Sequence, residues 1–93
     1  MTPVEFTWDW RKAEQNRRKH GVTFDEAVTI FFDSRELMVH DPDHSIGEER
    51  FVSIGISSAG QLLVVGHTER GSTIRLIFAR RATMPERMEY EYA

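Results

Sequence analysis

Two short stretches of this 93-residue chain concentrate its positive charge, although the net charge of the whole chain is −3. The first stretch is followed by His20 and contains Arg11, Lys12, Arg17, Arg18 and Lys19. The second contains Arg75, Arg80 and Arg81. A guanidinium group is planar and matches two phosphate oxygens at once, so the second stretch is suited to hold a phosphodiester. Two alternatives stay open: the first stretch forms a solvated helix face, and Arg75 and Arg80 pair with Glu26 or Glu86 as ordinary ion pairs.

Histidines supply the groups that exchange protons near neutral pH. The chain has four: His20, His40, His44 and His67. His20 ends the basic stretch, where the dipole of a helix favours the charged imidazolium, or where the ring satisfies helix-end carbonyls. The position of His67 depends on the turn that follows it. A two-residue turn at Arg70-Gly71 pairs His67 with Ile74 and directs it away from Arg75, whereas a three-residue turn places it opposite Arg75.

The segment 40–44, with the sequence His-Asp-Pro-Asp-His, contains four side chains that can bind a divalent cation. Its proline forces a turn and no outer ligands are evident, so we interpret it as a solvated acidic loop and expect no metal and no cofactor. The chain has no cysteine, which excludes thiolate zinc sites, thiol nucleophiles and disulfide scaffolds. It also lacks a glycine-rich phosphate loop and the Ser-His-Asp and His-Glu-x-x-His patterns of hydrolases.

Length and composition predict one globular domain over residues 1–93. Apolar residues make up 40% of the chain and charged residues 29%, which is typical of folded, soluble domains. The longest apolar run, residues 62–65, is far shorter than the roughly 20 residues of a membrane-spanning helix. No basic stretch followed by an apolar one comes after Met1, so we expect no secretory signal, no membrane association and a cytoplasmic protein.

Two helices are predicted near the start of the chain. Asp9 is positioned to cap a helix over residues 10–19, which Gly21 ends in a left-handed conformation. The segment Thr23-Phe-Asp-Glu26 is typical of a capping box, in which Thr23 and Glu26 satisfy two free amides reciprocally. The helix that follows buries the residues at positions i, i+3, i+4 and i+7, namely Phe24, Ala27, Val28 and Phe31.

Strands dominate the rest of the chain. A first strand is predicted over residues 4–8, and four more are predicted over 37–40, 50–57, 61–68 and 73–78. Short turns separate the last three, which favours an antiparallel meander. Thr83 and Glu86 form a second capping box before a helix over residues 84–92. The order is β-α-α-β-β-β-β-α, an α+β domain with a small, largely antiparallel sheet packed against helices. Gly55 and Gly66 lie inside strands, where glycine indicates a bulge or the close approach of another backbone or of a ligand.

Sequence blocks spread over residues 6–92 resemble one known family. The most specific are Lys-His-Gly-Val-x-Phe at residues 19–24 and Ala-Arg-Arg-Ala-Thr at residues 79–83. Together they are similar to the BrnT-type toxins of bacterial type II toxin–antitoxin systems. The resemblance implies a fold related to the RelE-type ribonucleases and cleavage of RNA that inhibits translation. Phe78 departs from the family pattern, in which a small polar residue is expected at this position.

The resemblance also implies a partner protein. A BrnT-type toxin is expected to be neutralised by a cognate BrnA-type antitoxin with a ribbon-helix-helix DNA-binding domain, so operator DNA is reached only through the antitoxin. The segment from Asp25 to Glu49 is strongly acidic. Its charge alone motivates the hypothesis that it is the docking surface for a basic antitoxin segment.

From this resemblance we expect a metal-independent endoribonuclease. Phosphate and transition-state stabilisation is assigned to Arg75, Arg80 and Arg81. RNA binding is assigned to Lys12, Arg18 and Lys19, with support from His20. Proton transfer is assigned to His67 or His20, with Tyr90, which shares a helix face with Glu86, as a third candidate. The hypothesis requires these groups to converge on one scissile phosphate. Its alternatives are a non-catalytic module that binds nucleic acid or antitoxin in a repressor complex, and a degenerate toxin that persists as a scaffold.

Overall fold

A five-stranded sheet is the centre of the fold in the computed structural model, which describes residues 4–45 and 47–93. Its elements are β1 (Glu5–Thr7), α1 (Trp10–His20), α2 (Phe24–Val28), β2 (Leu37–His40), β3 (Arg50–Ile56), β4 (Leu62–Arg70), β5 (Thr73–Arg81) and α3 (Met84–Glu91). Short 3₁₀ turns follow α2 at Thr29–Phe32 and β2 at Pro42–His44. The predicted order of elements is confirmed. The last hairpin is longer than predicted, because β4 and β5 stay paired as far as their tight turn.

The sheet is mixed, with the strand order β1-β5-β4-β3-β2. β1 runs parallel to β5, and every other neighbouring pair is antiparallel. The prediction of a largely antiparallel sheet that contains a β3-β4-β5 meander is therefore confirmed. Because side chains alternate across a strand, each residue pair of this register belongs to one of two faces.

One face, which we call the helical face, is covered by α1, α2 and the 3₁₀ turn after α2. Its core consists of Val22, Phe24, Ala27, Ile30, Leu63, Val65, Leu76 and Ala79. Asn16 is the buried residue of the mostly polar helix α1 and joins that helix to β5. Its amide Nδ2 donates to the carbonyl oxygen of Ala79 at 2.8 Å, and its Oδ1 accepts from the Ala79 amide at 3.0 Å. Both polar groups of this buried side chain are thereby satisfied.

The opposite face, which we call the open face, is only partly covered. Helix α3 packs over one end of it, where Tyr90 joins a small core with Ile54, Leu62 and Val64. The other end of the open face has no helix above it among the described residues. This asymmetry leaves a surface of sheet side chains available for binding. No helix in the described part of the chain is long and apolar enough to cross a membrane.

Local capping signals explain where the helices begin and end. The Asp9 carboxylate accepts from the amides of Arg11 and Lys12, and Gly21 ends α1 with a φ of 71°. Thr83 and Glu86 form the predicted capping box with both reciprocal bonds. Of the two reciprocal bonds predicted for the capping box at Thr23 and Glu26, only one forms. Thr23 does accept from the Glu26 amide.

The Glu26 carboxylate has different partners from the predicted one. Ser57 Oγ donates to it at 2.7 Å and Gln61 Nε2 donates at 3.1 Å. These donors lie at the turn between β3 and β4, so Glu26 joins α2 to the sheet instead of closing its own helix end. A tertiary contact has replaced the local one.

Gly66 allows an aromatic ring to lie against the sheet. A β-bulge interrupts the β4–β5 pairing between Gly66 and His67. The ring of Phe78 occupies the space that a side chain at position 66 would fill, with Cε2 only 2.1 Å from the position of a Cβ atom there. Gly55 has a similar role beside Ile30, whose Cβ would be 3.0 Å from an added Cβ. The prediction is confirmed by the bulge at Gly66 and by the close approach of another backbone at Gly55, where the Ile30 carbonyl oxygen would be 3.1 Å from an added Cβ.

Gly66→Ala should lower the free energy of unfolding by about 1–3 kcal/mol, because the new methyl group overlaps the Phe78 ring. Urea denaturation measures the loss. In a Phe78→Ala background the same glycine substitution should cost much less, since the overlapping atoms are gone and the two sites are coupled. An equal loss in both backgrounds would show that the ring does not decide the need for glycine.

Candidate functional site

Two arginines flank a threonine in one row across the open face. The strand register pairs Arg50 with Thr68, Thr68 with Arg75, and Arg75 with Thr7. We call these four residues the arginine row. Both arginines are exposed, whereas Thr68 is buried. The row places two cationic side chains on either side of a hydroxyl group, at the end of the face that α3 does not cover.

A cavity of about 400 Å³ lies over one side of the arginine row. Hydroxyl groups and arginines dominate its lining, which consists of Thr7, Glu48, Thr68, Arg70, Thr73 and Arg75. Arg70 is neutralised there, since its Nη2 donates to Glu48 at 2.8 Å. Within the described residues, Arg50 and Arg75 form no ion pair. Their charge is available to an external anion, and hydroxyl groups stand next to it as further donors.

A second cavity, of about 580 Å³, continues along the open face, and we call it the groove. It borders the arginine row at Arg50 and extends past Gly66 and Phe78 to Arg80. His44 and Glu89 also line it. The two cavities together give the open face a cationic end and an aromatic, apolar middle.

Arg80 faces the groove but forms an ion pair with Glu86, which is one of the alternatives that the sequence left open. Its Nη1 and Nη2 each donate to one carboxylate oxygen of Glu86, both at 2.8 Å. The Thr83 amide donates to the same carboxylate at 2.8 Å. The bonds from Arg80 and then from Thr83 lower the pKa of Glu86 to about 2, so the pair is charged on both sides at neutral pH. Arg80 is thus anchored to α3 and contributes less free charge than Arg75.

Arg81 was expected beside Arg75 and Arg80, and this placement is wrong. Neighbouring residues of a strand point to opposite faces, so Arg81 extends toward the helical face. There its Nε donates to Gln61 Oε1 at 2.7 Å. The two adjacent arginines cannot serve one phosphate on the same face of the sheet.

The cations of α1 do not join the arginine row either. Helix α1 covers the helical face, whereas the arginine row lies on the open face, so the sheet separates the two groups. Arg18 forms an ion pair with Glu14 at 3.1 Å. The remaining residues of this set are Lys12, Lys19 and His20, which lie on the same helix. The predicted convergence of the first helix with the final strand around one phosphate is therefore wrong.

His67 is a core residue in this fold. The turn of the hairpin is Gly71-Ser72, and the register that it sets pairs His67 with Leu76, which neither predicted register anticipated. Its buried ring lies between Phe31 and Phe51, with centroid distances of 5.0 and 5.9 Å. Desolvation lowers the pKa of His67 to about 4, so the ring is neutral at physiological pH. It faces away from Arg75, and its place in the core argues against the proton-transfer role.

The contacts of Tyr90 indicate a structural role. Its hydroxyl donates to Asp33 Oδ2 at 2.6 Å, and burial raises its pKa. The Arg35 guanidinium lies 5.5 Å from the centre of its ring. These contacts attach α3 to the rest of the domain, and they leave the hydroxyl engaged away from the arginine row.

Carboxylates contact both histidines of the segment 40–44. His44 Nδ1 lies 2.8 Å from Asp41 Oδ2, and His40 Nε2 pairs with Glu49. Ile46 of the same loop lies outside the described residues. Among residues 4–45 and 47–93, no three histidine or carboxylate side chains come together as metal ligands.

A model of one protein family matches residues 8–86, and its description reads ribonuclease toxin, BrnT, of type II toxin–antitoxin system. The chain belongs to the BrnT family. The resemblance of its sequence blocks is thereby confirmed. The crystal structure of the Brucella abortus ribonuclease toxin BrnT has a similar fold, with a TM-score of 0.67. It shares 20% sequence identity and the match covers 87% of this chain and 99% of the other. No curated protein matches this sequence.

For a BrnT ribonuclease toxin, the open face offers residues that the sequence did not single out. From the sequence, Arg50 had no assigned role, and His44, one of the four histidines, was interpreted as part of a solvated acidic loop. Finding Arg50 requires the β3–β4 register, because it is this pairing that places it beside Thr68. The signal present in the sequence was Gly66, which marks the strand position where the groove approaches the backbone.

Proposed function

We propose that this BrnT-family chain is an endoribonuclease whose active site is the arginine row with the adjoining groove. The observation that carries the proposal is the placement of Arg50 and Arg75 on either side of Thr68, on the part of the sheet that no described helix covers. A phosphodiester is the anion that suits two guanidinium groups with a hydroxyl between them. The family description supplies RNA as the polymer.

Charge stabilisation is the main chemical contribution of this site. Attack of a ribose 2′-oxygen on phosphorus places additional negative charge on the phosphoryl oxygens in the transition state. Arg75, whose charge no described carboxylate neutralises, and Arg50 are positioned to bind those oxygens. The Thr68 hydroxyl is a further donor in the same row. Donors that are held in place before the reaction stabilise such charge at little cost in reorganisation.

Proton transfer is assigned to His44 in this proposal. Asp41 holds Nδ1 of its ring, which leaves Nε2 directed to other partners, and the side chain is exposed at the groove. The 2′-hydroxyl proton moves to Nε2 as the 2′-oxygen bonds to phosphorus. The bond from phosphorus to the 5′-oxygen then breaks, and that oxygen takes a proton from water. The products are a 2′,3′-cyclic phosphate and a 5′-hydroxyl end.

We propose that the reaction needs no metal ion, since the two arginines supply the positive charge that a metal would otherwise bring. Purified, antitoxin-free protein should cleave RNA at the same rate with and without excess EDTA. Gel analysis of 5′-labelled RNA measures the rate, and the chemistry of the ends identifies the cyclic phosphate. Cleavage that stops on EDTA addition and returns with a divalent cation would refute metal independence.

The same assay separates the enzyme from the non-catalytic alternative. A binding module would retain RNA in a salt-dependent manner without producing shorter fragments, because phosphate neutralisation drives such binding. A degenerate scaffold would do neither. Fragments with defined ends support the proposed function, and intact RNA in every condition contradicts it.

The family also indicates a partner protein. As a member of a type II toxin–antitoxin family the chain acts with an antitoxin. We propose a BrnA-type antitoxin with a ribbon-helix-helix domain that alone contacts operator DNA, and a cytoplasmic site of action where cleavage of RNA inhibits translation. The acidic segment from Asp25 to Glu49 remains our hypothesis for its docking surface, as does a single domain over residues 1–93. Relationship to the RelE-type ribonucleases is likewise a proposal.

A further inference from the structure

Phe78 stands in the middle of the groove, next to the arginine row. The register pairs it with Gly66, and Thr68, two residues along β4, pairs with Arg75. Two residues of a strand span about 6.6 Å, so the aromatic ring and the row are within the reach of a single nucleotide. The ring is only half-buried and lines the groove together with Val52, Ile54 and Arg80.

The Phe78 ring packs directly on the sheet because Gly66 has no side chain. Atoms Cδ2, Cε2 and Cζ of Phe78 would all lie within 3.0 Å of a Cβ atom at Gly66. The ring therefore lies against the β4 backbone, which restricts its motion and leaves the groove open beside it. A flat apolar surface held in this way next to a cationic row combines the two features that single-stranded nucleic acids bind.

We infer that Phe78 is the platform on which one base of the RNA substrate stacks while an adjacent phosphate lies on the arginine row. The inference deepens the proposed function and rests on it. It also defines the substrate class, because a base can stack on a protein ring only when it is unpaired and displaced from its helix. The substrate is thus RNA that is single-stranded at the cleavage site. Stacking favours binding of an unpaired base without distinguishing bases by their hydrogen-bonding edges.

An abasic scan with RNA that cannot be cleaved tests the inference separately from catalysis. The probes are short single-stranded oligonucleotides with 2′-O-methyl groups throughout, each lacking one base at a successive position, and binding is measured by fluorescence anisotropy. With the parent protein, one abasic position should weaken binding roughly tenfold, the scale of stacking on an aromatic side chain. Phe78→Leu should weaken binding of the intact oligonucleotide by a similar factor and should abolish the penalty at that position.

Two variants serve as controls in the same scan, and a third takes the place of the leucine variant if that variant does not fold. Phe78→Tyr keeps an aromatic surface and should restore both the affinity and the position-specific penalty. Phe32→Leu makes the same change at an exposed phenylalanine outside the groove and should behave as the parent protein does. Phe78→Met replaces the leucine variant if thermal melting shows that leucine does not fold, since methionine fills irregular space without a ring.

The outcomes distinguish this inference from the proposed function. An abasic profile that is identical for the parent, leucine and tyrosine proteins overturns the stacking role, even if the parent protein cleaves RNA. A duplex of the same sequence that binds as tightly as the single strand also overturns it. Failure of the parent protein to cleave any RNA, with a position-specific penalty still present, contradicts the proposed enzyme and leaves a single-strand binding protein with Phe78 as its platform.

Discussion

Arg75→Ala should lower kcat/KM for RNA cleavage by about 100- to 1,000-fold, the usual cost of removing one preorganised donor to a transition-state oxyanion. The effect is large because the charge of Arg75 is not neutralised by a carboxylate in the described part of the chain, and the row has only one other cation, Arg50. Arg75→Lys should recover part of the activity, since lysine restores the charge without the planar fork. Cleavage of a short labelled RNA under kcat/KM conditions measures both variants.

Arg81→Ala is the matched control for this prediction. It removes another exposed arginine from the same strand, but one whose side chain bonds to Gln61 on the helical face. Its kcat/KM should stay within about threefold of the parent value, as expected for a surface change away from the reacting groups. If Arg81→Ala abolishes cleavage and Arg75→Ala does not, the active site is on the helical face and the assignment to the arginine row is refuted.

Protonation of His67 should make the fold sensitive to acid. Its pKa is about 4 in the folded protein because of burial, against about 6.5 in an unfolded chain, so the unfolded state binds the proton more readily. Stability is therefore full above about pH 6.5 and falls as the pH is lowered toward 4. The expected loss from this group is about 2 kcal/mol at pH 5 and about 3 kcal/mol at pH 4.

Urea denaturation of the parent protein and of His67→Gln over pH 4 to 7.5 tests this prediction. The glutamine variant retains a polar group that can bond to Ser53 Oγ, which lies 2.9 Å from Nε2 of the parent ring. It loses some stability at neutral pH. The difference in stability between the two proteins should shrink as the pH falls, because only the parent protein loses the contribution of the neutral imidazole, whereas the carboxylates titrate in both. A difference that stays constant across the range would mean that the buried imidazole is not the group responsible.

Much of the fold follows from short-range patterns in the sequence. Asp9, Gly21, Thr23 and Thr83 mark helix ends where the sequence places them, since a cap involves residues only a few positions apart. The order of strands and helices follows from hydrophobic periodicity for the same reason. Glu26 shows the limit of such reasoning, because the donors from Ser57 and Gln61 compete for its carboxylate and are distant in the sequence.

The candidate functional residues show the same limit. The sequence by itself determined the family, the α+β order and the presence of arginines suited to bind phosphate. Only the tertiary structure decided which of them share a surface, because a strand alternates its side chains and a shift of one residue moves each side chain to the other face. The turn at Gly71-Ser72 sets the register that places Arg75 and Arg50 on either side of Thr68 and buries His67, and the bulge beside Gly66 brings Phe78 opposite that glycine. The alternation of side chains along β5 separates Arg80 from Arg81.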